Sequence, residues 1–363
     1  MINRCRLKHH DISEGENDHT FIETAQPVYF ETGLNGSALQ LKNLACMDKQ
    51  VLGTNSGLEF VVYRVFWDEA FWKALQAPHV GYDDAYGQNN HIAPLRKKYN
   101  RKFKDDIVNY GFSDAVMYLG PAGDRIREAV YGAICSAVLD ASGYGFKQQG
   151  HIVTKDVTCN DLADAGNPAQ HPFVFVSESL GSKILFDVFR ETMHDGRVDI
   201  LDQIMGKSEI FMFANQIPLL SLADLTPILD TNRPSIIQPT PTHRPKVIAL
   251  SELNDFLSYE LVPFYETLYG QSYDLKHQSQ KRDYRDLKGR ENRQAMINDI
   301  GFDIIDMRIE FADPLFPVLK SLVDPKQAHS DHAKQPKLMQ YLLCGAQNGK
   351  LNTNGCLAAQ DKP

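Results

Sequence analysis

Long apolar runs are missing from this 363-residue chain. Nowhere do eighteen apolar residues stand in sequence, so no segment reads as a membrane-crossing helix. The first twenty residues, MINRCRLKHHDISEGENDHT, hold no apolar stretch that would serve as a signal peptide. Cysteine is sparse and scattered, at 5, 46, 135, 159, 344 and 356. No two are separated by two residues, which leaves zinc-ribbon and thioredoxin-like readings without support. Unpaired thiols spread through a chain this long suit a reducing compartment. Positive charge is also short: 38 Lys and Arg against 46 Asp and Glu give a net −8, a poor balance for gripping a phosphate backbone. Internal repeats are absent. The expectation is a soluble, cytoplasmic protein with no transmembrane segment and no nucleic-acid partner, its oligomeric state not legible.

What is present is ordinary globular material. Apolar residues at 43 % and charged residues at 23 % exclude disordered, collagen-like and disulfide-scaffold classes. The length suits one large domain or two small ones. Residues 1–50 read as a polar arm with an edge strand at Pro27–Phe30, 51–345 as one domain, and 346–363 as a flexible tail. Gly57–Trp67 (GLEFVVYRVFW) is the first strong strand, apolar on both faces and therefore suited to a sheet covered by helices on each side. A helix follows at Asp68–Ala74. Ile126, Val130, Ile134 and Val138 recur every four residues on an amphipathic helix that starts after Gly120-Pro121 and ends near Gly143.

Beyond a loop-rich stretch with a weak strand at His151–Thr154, strand and helix alternate. Phe173–Val176 reads as a short buried strand, Lys183–Thr192 as a helix, and Glu209–Phe213 and Lys246–Leu250 as strands. Phe302–Phe311 is a longer strand and Lys337–Leu343 a closing helix. Such alternation predicts an α/β fold, a mostly parallel sheet with helices on both faces.

One local pattern carries chemistry. The strand Phe173–Val176 runs straight into a helix through Ser177-Glu178-Ser179-Leu180-Gly181, a small-x-Ser-x-Gly turn. In such a turn the central serine takes a strained backbone that lifts its hydroxyl above the sheet edge. Small residues on either side are expected because strand and helix crowd each other. The helix that follows points its N-terminus at the hydroxyl, and the Leu180 N–H can face a developing oxyanion.

With that turn the chain resembles the α/β-hydrolase superfamily, in its esterase- and lipase-like branch, over roughly residues 55–345. The resemblance implies a chain order of nucleophile, acid and histidine, each on a loop at the carboxyl end of a strand. Ser179 matches the nucleophile. Asp255, in the loop after KVIAL, matches the acid, and His329, after the last long strand, matches the base. The implied activity is hydrolysis of a small-molecule ester or lipid ester through an acyl-enzyme on Ser179, with no metal or organic cofactor. One departure stands out. The usual early strand ending in a His-Gly pair, whose loop gives the second oxyanion N–H, has no counterpart in the N-terminal third. That donor comes from elsewhere, such as the loop after Phe66 at Trp67-Asp68, or is lacking. Loss of one donor lowers turnover by about 10²–10³-fold. A rival reading is therefore an inactive hydrolase-fold binding protein.

Each of these residues also has a plainer reading. Ser179 can simply cap or pack at its turn, and Asn254 or Asp255 can cap a helix starting at Phe256-Leu257. Asp224, Asp230 and Glu252 are substitutes for the acid, and His332 is the reserve base. His329 and His332 at i, i+3 would make half of a metal site, but further ligands are not evident, and His9-His10-Asp11 reads as solvated tail. The runs Arg96–Lys104 and Lys276–Arg293, the latter with seven Lys/Arg against three Asp/Glu, read as solvated surface rather than anion sites. Ile217–Leu229 reads equally as a buried helix or as an apolar wall over the site.

Overall fold

The computed structural model describes residues 20–22, 28–31, 38–41, 45–53, 59–67, 112–120, 122–142, 145–148, 151–154, 173–194, 204, 208–223, 245–267, 302–314, 323, 325–336, 338, 342, 346–347 and 350–351. The chain divides into two compact units, Met1–Leu162 and Ala163–Pro363, where the sequence suggests an arm and a single domain over 51–345.

In the first unit, β1 (Thr20–Ile22), β4 (Ala45–Gly53), β5 (Glu59–Trp67), β6 (Gly145–Gln148) and β7 (His151–Thr154) form a five-stranded sheet in the order β5-β4-β1-β7-β6. Only β1 and β7 run parallel. A separate antiparallel pair joins β2 (Val28–Glu31) to β3 (Ala38–Leu41). The helices α1 (Ser113–Leu119) and α2 (Ala122–Ala141) follow. The fourfold apolar stripe of α2 is its buried face, with Ile126, Val130, Ile134 and Val138 all in the core. Tyr63 of β5 packs on Ala133 and Ala137 and donates its hydroxyl to Asp140 at 2.5 Å. Burial, reinforced by that carboxylate, pushes the phenol pKa up. In the first turn of α2, Gly123 is obligatory, since a Cβ there would stand 2.1 Å from the Tyr118 carbonyl oxygen of α1.

Two expectations are corrected in this unit. The strand at Gly57–Trp67 pairs antiparallel with β4 and leaves Val61 and Val65 more than a third exposed, so it is not a strand covered on both faces. Cys135 is disulfide-bonded, which removes it from the set of unpaired thiols.

The second unit carries the parallel sheet. Its strands are β8 (Val174–Glu178), β9 (Glu209–Phe213), β10 (Lys246–Glu252) and β11 (Asp303–Ile309), in the order β11-β10-β9-β8, all parallel. Helix α3 (Leu180–His194) links β8 towards β9, α4 (Ile217–Leu220) and a 3₁₀ turn at Ser221–Ala223 follow β9, and α5 (Pro325–Ser330) follows β11. A short antiparallel pair, β12 (Ala346–Gln347) and β13 (Lys350–Leu351), lies near the chain end.

Alternation sorts the sheet into two faces. On one, Phe211, Phe213, Ile248, Leu250 and Met307 pack with Leu338 and Leu342. On the other, Phe175 meets Phe189 of α3 edge-on at 5.1 Å, and Phe186 of α3 packs on Phe302 and Tyr265. The helical turn at residues 261–267 is fixed by Asp306, whose carboxylate accepts from the Leu261 and Val262 N–H groups at 2.9 and 2.8 Å, the usual place for an anion at a helix start. The parallel sheet with cover on both faces is thus the α/β arrangement expected. Strand β8 departs from it: Val174 and Val176 are half exposed and the alternate residues only partly buried, so this strand is covered on one face only. Among the described residues no helix is long and apolar enough to cross a membrane.

Candidate active site

Parallel strands deliver their carboxyl ends to one edge of a sheet, and loops there collect side chains from distant parts of the chain. Strand β8 ends at Glu178, and Ser179 turns into α3 with φ at +54°, a left-handed backbone that a non-glycine residue adopts at a cost of about 1 kcal/mol or more. Two backbone bonds hold that turn. The Ser179 N–H donates to the Phe213 carbonyl at 2.9 Å, and the Ser182 N–H donates to the Ser179 carbonyl at 3.0 Å. Leu180 is the first residue of α3, so its N–H is one of the four helix-start amides without an intrahelical acceptor.

The flanking small residues behave differently from each other. The Ser177 hydroxyl is tied across the turn, 3.1 Å from that of Ser182 and 3.4 Å from the Phe211 carbonyl. Gly181 has open space beside it: a Cβ there would meet nothing within 4 Å. The crowding expected on the helix side of the turn is therefore corrected.

Segments that follow β9, β10 and β11 gather around Ser179. His329, on α5, places Nε2 at 2.8 Å from Ser179 Oγ and Nδ1 at 2.9 Å from Asp255 Oδ2. The Asp255 side chain is fully buried and that of His329 about one-fifth exposed. Asp255 combines the two roles that the sequence left as alternatives. Its Oδ1 accepts the Leu257 N–H at 3.0 Å, fixing the local turn, while Oδ2 faces the imidazole.

The substitutes fall elsewhere. Glu252 is buried and braces its own loop, accepting from the backbone and side chain of Asn254 and from the Phe311 N–H at 3.4 Å. Asp224, Asp230, the Asp68 end of the suggested oxyanion loop, the closing helix over 337–343 as a whole, His9-His10 and both basic runs lie outside the described residues. Among the described residues no three His, Cys, Asp or Glu side chains group as metal ligands.

His332 does not approach Ser179 in this arrangement. Its ring is fully buried against Phe213 and Phe311, at 5.7 and 5.0 Å between centroids. Nδ1 lies 3.1 Å from the His329 carbonyl oxygen, so that nitrogen carries the proton and donates, while Nε2 is buried without a partner. Burial lowers its pKa below the ordinary 6.5, against the opposing pull of the Asp255 and Glu252 carboxylates. Well above pH 6.5 the ring is neutral in both folded and unfolded chain, so it adds no pH dependence to stability there. Below that value the unfolded chain takes the proton first, so stability falls with pH until the folded pKa is passed, at no more than about 1.4 kcal/mol per unit. Thermal melts between pH 7.5 and 5 should show a shallower acid slope in His332→Phe than in wild type; parallel slopes would rule this ring out as a source of acid sensitivity.

Sequence reasoning missed Gln216. Its side-chain Nε2 donates to Ser179 Oγ at 2.9 Å, and the residue is nearly buried. The available signal was a polar pair, Asn215-Gln216, one residue beyond the apolar strand EIFMF and just ahead of Ile217-Pro218. Ala214, just ahead of it, has φ at +47°, and its N–H donates to the Leu250 carbonyl at 3.1 Å. Asn215 is bound to the acid loop in both directions. Its side-chain amide donates to the Tyr259 carbonyl at 2.7 Å, and the Tyr259 N–H donates to the Asn215 carbonyl at 3.3 Å.

A second carboxyl stands in the field of this imidazole. The Glu178 pKa is raised chiefly by loss of solvation, with His329 opposing the shift and Asp331 adding to it. Chemically, the array can pass the Ser179 proton to His329 while Asp255 holds the imidazole in the tautomer that accepts at Nε2. Comparison with protein-family models, with curated proteins and with solved structures finds no match.

Proposed function

We propose that this chain is a serine hydrolase that cleaves a carboxylic ester through an acyl-enzyme on Ser179, in the manner of the α/β-hydrolases it resembles. The observation that carries the reading is the hydrogen-bonded line Ser179–His329–Asp255, at 2.8 and 2.9 Å, with the serine in a positive-φ turn between strand and helix. A serine that only capped its helix would have no need of an imidazole backed by a buried carboxylate. In the first step Ser179 Oγ bonds to the ester carbonyl carbon, its proton passes to His329 Nε2, and the carbonyl π pair moves onto oxygen. Collapse expels the alcohol, which takes the proton from His329. Water activated by the same imidazole then releases the acid and restores the serine. Exposed Leu222, Leu253 and Phe256 flank the residues of the site along the chain and suit an apolar acyl group, a lipid ester among them.

Labelling with a fluorophosphonate tests the reading directly, because the probe phosphonylates only an activated serine. Wild type should label and Ser179→Ala should not. A folded wild type that fails to label would overturn the proposal in favour of a binding protein on a hydrolase-like scaffold.

A further inference from the structure

Resting on the hydrolase reading, we infer that Gln216 is a catalytic residue. Its side-chain amide supplies the second oxyanion donor that the missing early His-Gly loop would otherwise give. Oγ of a serine offers one proton and two lone pairs. In this site the Gln216 amide, which at Nε2 can only donate, occupies one lone pair at 2.9 Å. The hydroxyl proton is therefore left to point at His329 Nε2, 2.8 Å away, the direction in which it must leave.

During attack the Oγ–C bond forms, the proton moves to His329, and the carbonyl oxygen gains a full negative charge. Oγ meanwhile becomes an ether-like oxygen and a poor acceptor. The new oxyanion is bonded to the same carbon as Oγ, hence within reach of the same amide, and it is the better acceptor. A Gln216 N–H that turns to it acts beside the Leu180 N–H at the start of α3. When the C–O bond to the leaving alcohol breaks, the oxyanion becomes the acyl-enzyme carbonyl, still the better acceptor, and the amide returns to Oγ only when deacylation restores the free hydroxyl.

The placement looks purpose-built. An amide that stabilises charge must be fixed before the charge appears. Gln216 is only 6 % exposed, its backbone is aimed by the left-handed Ala214, and its neighbour Asn215 is bound to Tyr259 on the loop that bears Asp255. Ser179 and Ala214 are the only non-glycine residues with positive φ among those described, and they end adjacent parallel strands. One sets the nucleophile and the other sets its donor.

Hydrolysis of p-nitrophenyl acetate by the full chain tests this with Gln216→Ala and Gln216→Glu. Both should lower kcat by about 10²–10³-fold with KM within about threefold of wild type. In Gln216→Glu, which preserves volume, the deficit relative to wild type should shrink as pH falls toward the range in which the new carboxyl is protonated and can donate. A structural role alone would not produce that pH-dependent ratio. If Gln216→Ala does not fold, the glutamate variant carries the test alone. Retention of wild-type kcat at pH 8 in Gln216→Glu, or a change confined to KM, would overturn the inference. An unlabelled, inactive wild type would instead sink the hydrolase reading beneath it, so the two failures are distinguishable.

Discussion

On the proposed hydrolase reading, Asp255→Asn is expected to lower ester hydrolysis by about 10⁴-fold while leaving the fold intact. The reason lies in what each carboxylate oxygen does. Oδ1 accepts the Leu257 N–H at 3.0 Å, and Oδ2 faces His329 Nδ1 at 2.9 Å. An asparagine has one acceptor oxygen, and the fixed backbone N–H of Leu257 claims it. The amide NH₂ is then turned toward His329, whose Nδ1 must accept and whose proton must sit on Nε2. That nitrogen now points a proton at Ser179 and cannot take another. Geometry is kept and the tautomer is wrong, so kcat should collapse with KM little changed. A variant within tenfold of wild type would mean that Asp255 serves only the turn at Leu257. Raising the pH should not restore activity, because no simple deprotonation repairs the tautomer.

Asp187→Ala is expected to cost about 3–5 kcal/mol of stability, read from urea denaturation. Lys183 lies on α3, four residues beyond the nucleophile candidate, and is 3 % exposed. Its ammonium sits 2.6 and 2.7 Å from the two Asp187 carboxylate oxygens, one helical turn further on. Removing the carboxylate strands a buried positive charge, whose loss of hydration is then uncompensated. Removing both charges together is a different matter: the double variant Lys183→Met, Asp187→Leu should lie within about 1–2 kcal/mol of wild type or above it. A single variant that loses less than about 1 kcal/mol would show that Lys183 reaches solvent when its partner is gone.

Much of the second unit is legible because its elements are short and locally encoded. Glu209–Phe213 is a strand of exposed-looking first residue and four apolar ones, and the structure gives it those bounds. The small-x-Ser-x-Gly turn announced itself through the strand before it and the helical stripe after it. The helix α2 declared its buried face by its fourfold spacing. What escaped reading depends on partners far away in sequence. Nothing in Gly57–Trp67 says that its neighbour would be an antiparallel strand, leaving Val61 and Val65 exposed. Val174 and Val176 have the composition of a strand buried on both faces, yet only tertiary neighbours decide whether the second face is covered. The need for Gly181 was argued from a general shape, and in this turn the space beside it is open. Gln216 was invisible because a single glutamine after a strand carries no pattern; only its distance to Ser179 reveals it.

The nucleophile candidate and its imidazole are 150 residues apart in the chain. A ribosome delivers them in that order, so Ser179, its strand and its helix exist well before α5 has been made. On the proposed hydrolase reading, until the C-terminal segment docks the serine hydroxyl lacks its base and has no reason to react. On that reading, a chain clipped ahead of Pro325 would keep Ser179 and the Phe213 carbonyl that holds its turn, and remain chemically silent. Reactivity at Ser179 would thus report the completion of folding, and a labelling signal gathered during refolding would lag behind recovery of the parallel sheet.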